Sequence, residues 1–170
     1  EKNIPLIFNT SKTLGEARAL QQEVGIEGPC IIENGAAIFL PSTYMKFLTE
    51  EEKPKLLPCE GGGLRCFGSE RKEILSFIEN QRHQRGPLLE GYNDWTLDKI
   101  IETTGLSEKG AKLSAAKLFS EPFIWLGNVS DFVEFEDAAK AQALKILKGG
   151  RFYHLQGATD KSVPLLWLQS

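Results

Sequence analysis

Cysteine is scarce in this chain, and what there is does not pair. Cys30, Cys59 and Cys66 are an odd number of thiols, with a spacing that matches no metal-ligand pattern. Only His83 and His154 could join them. A disulfide framework and a zinc site are therefore excluded as organising devices, and free thiols in a reducing cytoplasm are expected. Long apolar runs are also missing, since nothing approaches the roughly 20 residues that cross a bilayer, so no membrane partner is expected. No signal peptide is visible. Blocks of like charge are absent. A net charge of −3, with no strand that interleaves basic and aromatic residues, argues against nucleic acid as a partner. No internal repeat or low-complexity segment stands out.

What is present is ordinary for a globular chain: 170 residues, 41% apolar and 25% charged. That length holds one large domain or two small ones. The chain opens on Glu1 and closes on "LLWLQS", which reads as helix, so both ends look cut. "IPLIFN" is a short strand of the kind buried on both faces in a parallel sheet. Thr13 with Glu16 is a capping-box pattern, Leu14, Ala17, Leu20 and Val24 recur at helical spacing, and Gly25 suits the stop. "PCIIENGAAIFLP" reads as a second strand interrupted at Glu33-Asn34-Gly35, so strand, helix and strand form a parallel βαβ unit.

After Pro41 the texture becomes polar and loop-like, and "CEGGGL" reads as a flexible tether. Ser69 is placed to cap a helix carrying Ile74, Leu75, Phe77 and Ile78, and "QRHQRG" after it reads as a solvated loop. Thr96 caps a short helix stopped at Gly105, a further helix runs from Ser107 to about Leu118, and "SEPFIWLG" is a strand. The spacing then predicts a long helix from about Asp131 to Leu147, the strand "RFYHLQG", and a last helix opened by "DKSVPLLWL".

Two stretches suit an anion. "NTSKT" places hydroxyls, main-chain N–H groups and Lys12 where a strand ends and a helix begins. "GATDKSV" does the same with Lys161, a cation set against the helix dipole. A plain polar turn with Thr13 as N-cap, and a solvated surface lysine, are the alternatives. If the two strand ends lie side by side in one sheet, they form one phosphate-sized pocket.

The strings "PLIFNTSKT", "IIENGAAIFLP", "LFSEPFIW" and "GGRFYHLQGATDK" carry a resemblance across nearly the whole chain. It resembles the haloacid dehalogenase superfamily of phosphatases, in the subgroup with a large cap inserted in the core, and within it the mannosyl-3-phosphoglycerate phosphatases. The fold this implies is α/β: a partial doubly wound parallel core at 1–40 and 149–170, with an inserted α+β cap at 41–148. The implied activity is Mg²⁺-dependent hydrolysis of the phosphate ester of a small phosphorylated sugar acid. Thr10 would donate to a phosphoryl oxygen and Lys161 would neutralise its charge. Ser11, Lys12, Glu33, Asn34 and Gly35 would border the pocket. Lys117, Ser120 and Glu121 in the cap, with Arg151 and His154 on the returning strand, would meet the substrate. The family's nucleophilic aspartate and Mg²⁺ ligands match nothing within these residues. Asp160 reads as a helix cap and Asp94 as a turn residue, so this stretch alone is expected to be inactive. A non-catalytic module that binds a sugar phosphate is the alternative.

Overall fold

The computed structural model describes residues 6–169. In chain order the elements begin with β1 (Phe8–Asn9), α1 (Leu14–Val24), β2 (Cys30–Ile32), β3 (Ala37–Pro41), β4 (Leu56–Cys59) and β5 (Gly62–Cys66). Next come α2 (Arg71–Arg85), β6 (Leu89–Gly91), α3 (Leu97–Thr104), α4 (Glu108–Ala115) and β7 (Ser120–Trp125). The chain closes with α5 (Val129–Ala141), β8 (Leu144–Lys148), β9 (Tyr153–Gly157) and α6 (Ser162–Gln169). Residues 4 and 5 of the first expected strand lie outside the described residues.

The chain forms two compact units, Glu1–Phe67 with Thr159–Ser170, and Gly68–Ala158. The first holds a five-stranded sheet in the order β1-β2-β3-β5-β4. Helix α1 connects β1 to β2, which pair in parallel, as the βαβ reading requires. Its start is the expected capping box between Thr13 and Glu16, and Gly25 closes it at φ +67°. Ile31, Ile38, Leu40 and Leu56 form the core, with Trp167 and Leu168 of α6 packed on it. The second unit holds a four-stranded sheet in the order β6-β7-β9-β8, all antiparallel. Phe77, Phe123 and Phe135 are fully buried between that sheet and its helices. Each such side chain contributes about 1.5–3 kcal/mol by leaving water.

Several expectations change. "IIENGAAIFLP" is not one strand but two, β2 and β3, paired antiparallel. Glu33, Asn34 and Gly35 take φ of +44°, +59° and +93°, and this left-handed run reverses the chain. Among the described residues, parallel pairing is thus confined to β1 and β2, and the core sheet is mixed rather than wholly parallel. The supposed tether is a hairpin of β4 and β5, with Gly61 at φ +78° in its turn. A Cβ on Gly62 would meet the Leu40 carbonyl oxygen at 2.0 Å, so the glycines there allow β5 to approach β3. Pro58 is tolerated because β4 is an edge strand.

The long helix expected to Leu147 ends at Ala141. Ala143 turns at φ +54°, and "LKILK" continues as β8, paired antiparallel with β9. Helix α2 is capped by Glu70 rather than Ser69, and it extends through Arg82, His83 and Arg85, which are therefore not in a loop. The divisions between the units fall after Phe67 and Ala158, not after 40 and 148. The pairing of β3 with β5 holds the hairpin to the first unit, and the pairing of β9 with β7 and β8 holds "YHLQG" to the second.

Candidate functional site

Three loops of the first unit meet. The first follows β1. Thr10 N–H donates to the Ile31 carbonyl (3.0 Å), and the Thr10 carbonyl accepts the Asn34 N–H (3.0 Å). Glu33 N–H donates to the Lys12 carbonyl (3.0 Å), so residues 10–12 lie along the left-handed turn at 33–35. The Thr10 hydroxyl accepts the Lys12 N–H at 3.2 Å, which leaves its own proton free to donate.

The third loop precedes α6. Asn9 Nδ2 donates to the Lys161 carbonyl at 3.1 Å. The buried Thr159 hydroxyl donates to the Gly35 carbonyl at 3.2 Å. A Cβ on Gly35 would lie 2.0 Å from the Asp160 carbonyl oxygen and 2.7 Å from Lys161 N, so only glycine fits between the two loops. Asp160 is committed to the helix start, where its Oδ1 accepts the Ser162 N–H at 2.8 Å.

The sequence expected the loops of Thr10 and Lys161 to meet because their strands were neighbours. Their strands are not neighbours: β1 pairs with β2 in the first sheet, and β9 lies between β7 and β8 in the second. The loops meet instead within the first unit, through the Asn9 hydrogen bond and the close approach at Gly35.

The charges are unequal. Lys12 Nζ lies 3.3 Å from Glu16 Oε1, the same glutamate that closes the capping box, so its charge is largely answered locally. Lys161 is exposed, and its ammonium has no ion-pair partner among the described residues. Glu33 is fully buried, Asn34 half-buried, and Ser11 exposed. No three of His, Cys, Asp and Glu gather to hold a metal ion among the described residues. A hollow of about 590 Å³ in the same unit, lined by Arg18, Gln21, Phe39, Thr43 and Gly61 among others, includes none of the expected site residues.

Lys117, Ser120, Glu121, Arg151 and His154 belong to the second unit. Glu121 is 1% exposed, and its carboxylate is taken. Oε2 accepts from Arg71 Nε (2.8 Å) and Nη2 (2.6 Å), while Oε1 accepts the Asn93 N–H (2.7 Å). Burial pushes this carboxyl up, against the pull of Arg71 and the Asn93 N–H. Arg151 donates to the Thr103 and Thr104 carbonyls (3.0 and 2.8 Å) and so closes the end of α3. Both groups thus have structural partners. Arg71 was not singled out in the sequence, because its partner lies 50 positions away.

Lys117 and Ser120 are buried. His154 Nδ1 is buried with no hydrogen-bond partner among the described residues. Burial first, and then the charge of Lys117, push His154 down to about 4, so the ring is neutral at pH 7. Asp94, set aside above as a nucleophile, is tied to Arg82 at 2.5 Å and to the Gly91 N–H at 2.8 Å.

A 160-residue stretch of the chain is 38% identical to a glucosyl-3-phosphoglycerate/mannosyl-3-phosphoglycerate phosphatase of Persephonella marina, covering 92% of this chain and 55% of that protein. A protein of the same name from Methanococcoides burtonii is 31% identical over 95% of the chain and 58% of its own length. The chain is a sequence relative of the mannosyl-3-phosphoglycerate phosphatases. The mannosyl-3-phosphoglycerate phosphatase of Pyrococcus furiosus is 29% identical over 95% of the chain and 62% of its own length. The chain therefore spans rather over half the length of the curated relatives it matches. No family model matches it. In fold it is similar to the crystal structure of Thermoplasma acidophilum 0175, with a TM-score of 0.60 at 16% identity, over 99% of this chain and 56% of that one. No helix among the described residues is long and apolar enough to cross a membrane.

Proposed function

We propose that the protein containing this chain is a phosphatase that removes the phosphate of a mannosyl- or glucosyl-3-phosphoglycerate. The observation that carries this reading is the meeting of the Thr10 and Lys161 loops at Asn9 and Gly35, in a chain related to phosphatases of those substrates. The Thr10 hydroxyl, its oxygen engaged by the Lys12 N–H, donates its proton to a phosphoryl oxygen. The uncommitted Lys161 ammonium offsets charge on the transferring group, and it acts most strongly where that charge develops. Glu33, Asn34 and Gly35 shape the turn behind the pocket.

The family resemblance implies Mg²⁺ for the whole protein, where the ion would shield phosphate charge during attack. Residues 1–170 alone are proposed to bind phosphate without turnover. The three free thiols support a reducing, cytoplasmic setting.

The deciding experiment measures inorganic phosphate released from mannosyl-3-phosphoglycerate and glucosyl-3-phosphoglycerate by the full-length protein and by the 170-residue chain, each with added Mg²⁺. Release by the full-length protein alone is expected. A full-length protein inert toward both esters would end the reading, and turnover by the short chain would refute its inactivity.

A further inference from the structure

We propose that Asn9 is a positioning residue, whose side-chain amide holds the Lys161 main chain so that the lysine ammonium is presented at the Thr10 loop. This rests on reading Thr10 and Lys161 as the phosphoryl-binding pair.

Lys161 has a long stem of four methylene groups, an exposed head, and no ion partner among the described residues. Nothing at its tip therefore fixes its direction. Its base is fixed instead. Upstream, the Thr159 hydroxyl is bonded to the Gly35 carbonyl at 3.2 Å. Downstream, Asp160 Oδ1 holds the Ser162 N–H at 2.8 Å. At Lys161 itself, the side-chain hydrogen bond is the one that Asn9 Nδ2 donates to its carbonyl, at 3.1 Å across 152 positions of sequence. Asn9 is in turn held by β1, where it pairs with Ile31, next to the Thr10 N–H that donates to the Ile31 carbonyl. One side chain thus links the residue beside Thr10 to the main chain of Lys161.

Stability alone does not account for the choice of asparagine. Its Oδ1 is buried and has no hydrogen-bond partner among the described residues. A buried unpaired acceptor costs stability, which a smaller or apolar residue would avoid. Only the donor half of the amide is used, and that donor is aimed at the lysine loop.

The test uses the full-length protein with Asn9→Asp and Asn9→Ala, each alone and combined with Lys161→Ala. Asn9→Asp keeps the shape, but a carboxylate cannot donate to a carbonyl. Displacing the lysine should lower kcat for mannosyl-3-phosphoglycerate by about tenfold or more and leave KM within about twofold. In the Lys161→Ala background neither change should lower kcat further, because a residue acting through Lys161 has nothing left to position. Unchanged kcat in both single variants, or equal losses with and without Lys161, would overturn the proposal.

A wild-type protein that releases no phosphate would defeat the phosphatase reading. The positioning role is then decided by titrating inorganic phosphate into the 170-residue chain and following the Thr10 amide resonance. Weakening by Asn9→Asp that matches Lys161→Ala and adds nothing to it would support the role. Unaltered affinity in Asn9→Asp, or no saturable shift in the wild type, would refute it.

Discussion

At the scale of single residues, the site depends on which charges are already answered. Lys12 is paired to Glu16, and Lys161 is not paired among the described residues, although both look alike in sequence as lysines beside hydroxyls. Lys161→Ala in the full-length protein should therefore lower kcat by about a hundredfold or more, with a much smaller change in KM, because the ammonium acts on charge that develops during transfer. Steady-state kinetics check this, and near-normal kcat would remove Lys161 from the site. His154 carries a second residue-scale prediction. Its folded value is pushed down to about 4 from an ordinary 6.5. Between those values the unfolded chain binds a proton that the folded chain does not, so stability falls as pH drops from about 6.5 toward 4 and levels off below. The loss is on the order of 3 kcal/mol at most. Urea midpoints measured across that range should show the fall, and His154→Gln should flatten it. A slope unchanged by the substitution would assign the dependence to other groups.

At the scale of elements, caps and ion pairs decide where helices sit. Thr13, Thr96 and Ser107 cap α1, α3 and α4 as their sequence patterns indicate, because a cap is made by residues three apart. Arg71 at the head of α2 is different. It reaches Glu121 at the start of β7 and joins two elements that the sequence keeps far apart. Arg71→Ala would leave a carboxylate that is 1% exposed without its cation, and should destabilise the fold by about 3–5 kcal/mol. Adding Glu121→Gln to Arg71→Ala should recover part of that loss, since a neutral amide is cheaper to bury. Chemical denaturation of the single and double variants measures both effects, and an additive double variant would show that the pair is not coupled. The strand β8 makes the complementary point: Ala143 at φ +54° and the antiparallel pairing with β9 override a run that reads as continued helix.

At the scale of the whole molecule, the two units differ in continuity. Gly68–Ala158 is one uninterrupted stretch with its own four-stranded sheet and its own aromatic core. The first unit is assembled from two separated stretches, with α6 returning to pack Trp167 against Phe67 at 5.9 Å. A chain of residues 68–158 should therefore fold alone, because every strand pair and every main core contact it needs lies within it. Dispersed amide resonances and a cooperative thermal transition would be seen. A collapsed species without dispersed resonances would show that it needs the rest of the chain.

The sequence by itself determined the βαβ start, the caps of α1, α3 and α4 and the family resemblance, because each is written in residues close together along the chain. Period, cap and turn chemistry act over a few positions and survive without knowledge of the fold. Only the tertiary structure decided that β9 joins the second sheet, that "IIENGAAIFLP" doubles back, that Glu121 is spent on Arg71, and that Asn9 reaches Lys161. Those outcomes depend on which distant segments compete for the same hydrogen bonds and buried space, and no local pattern encodes the winner.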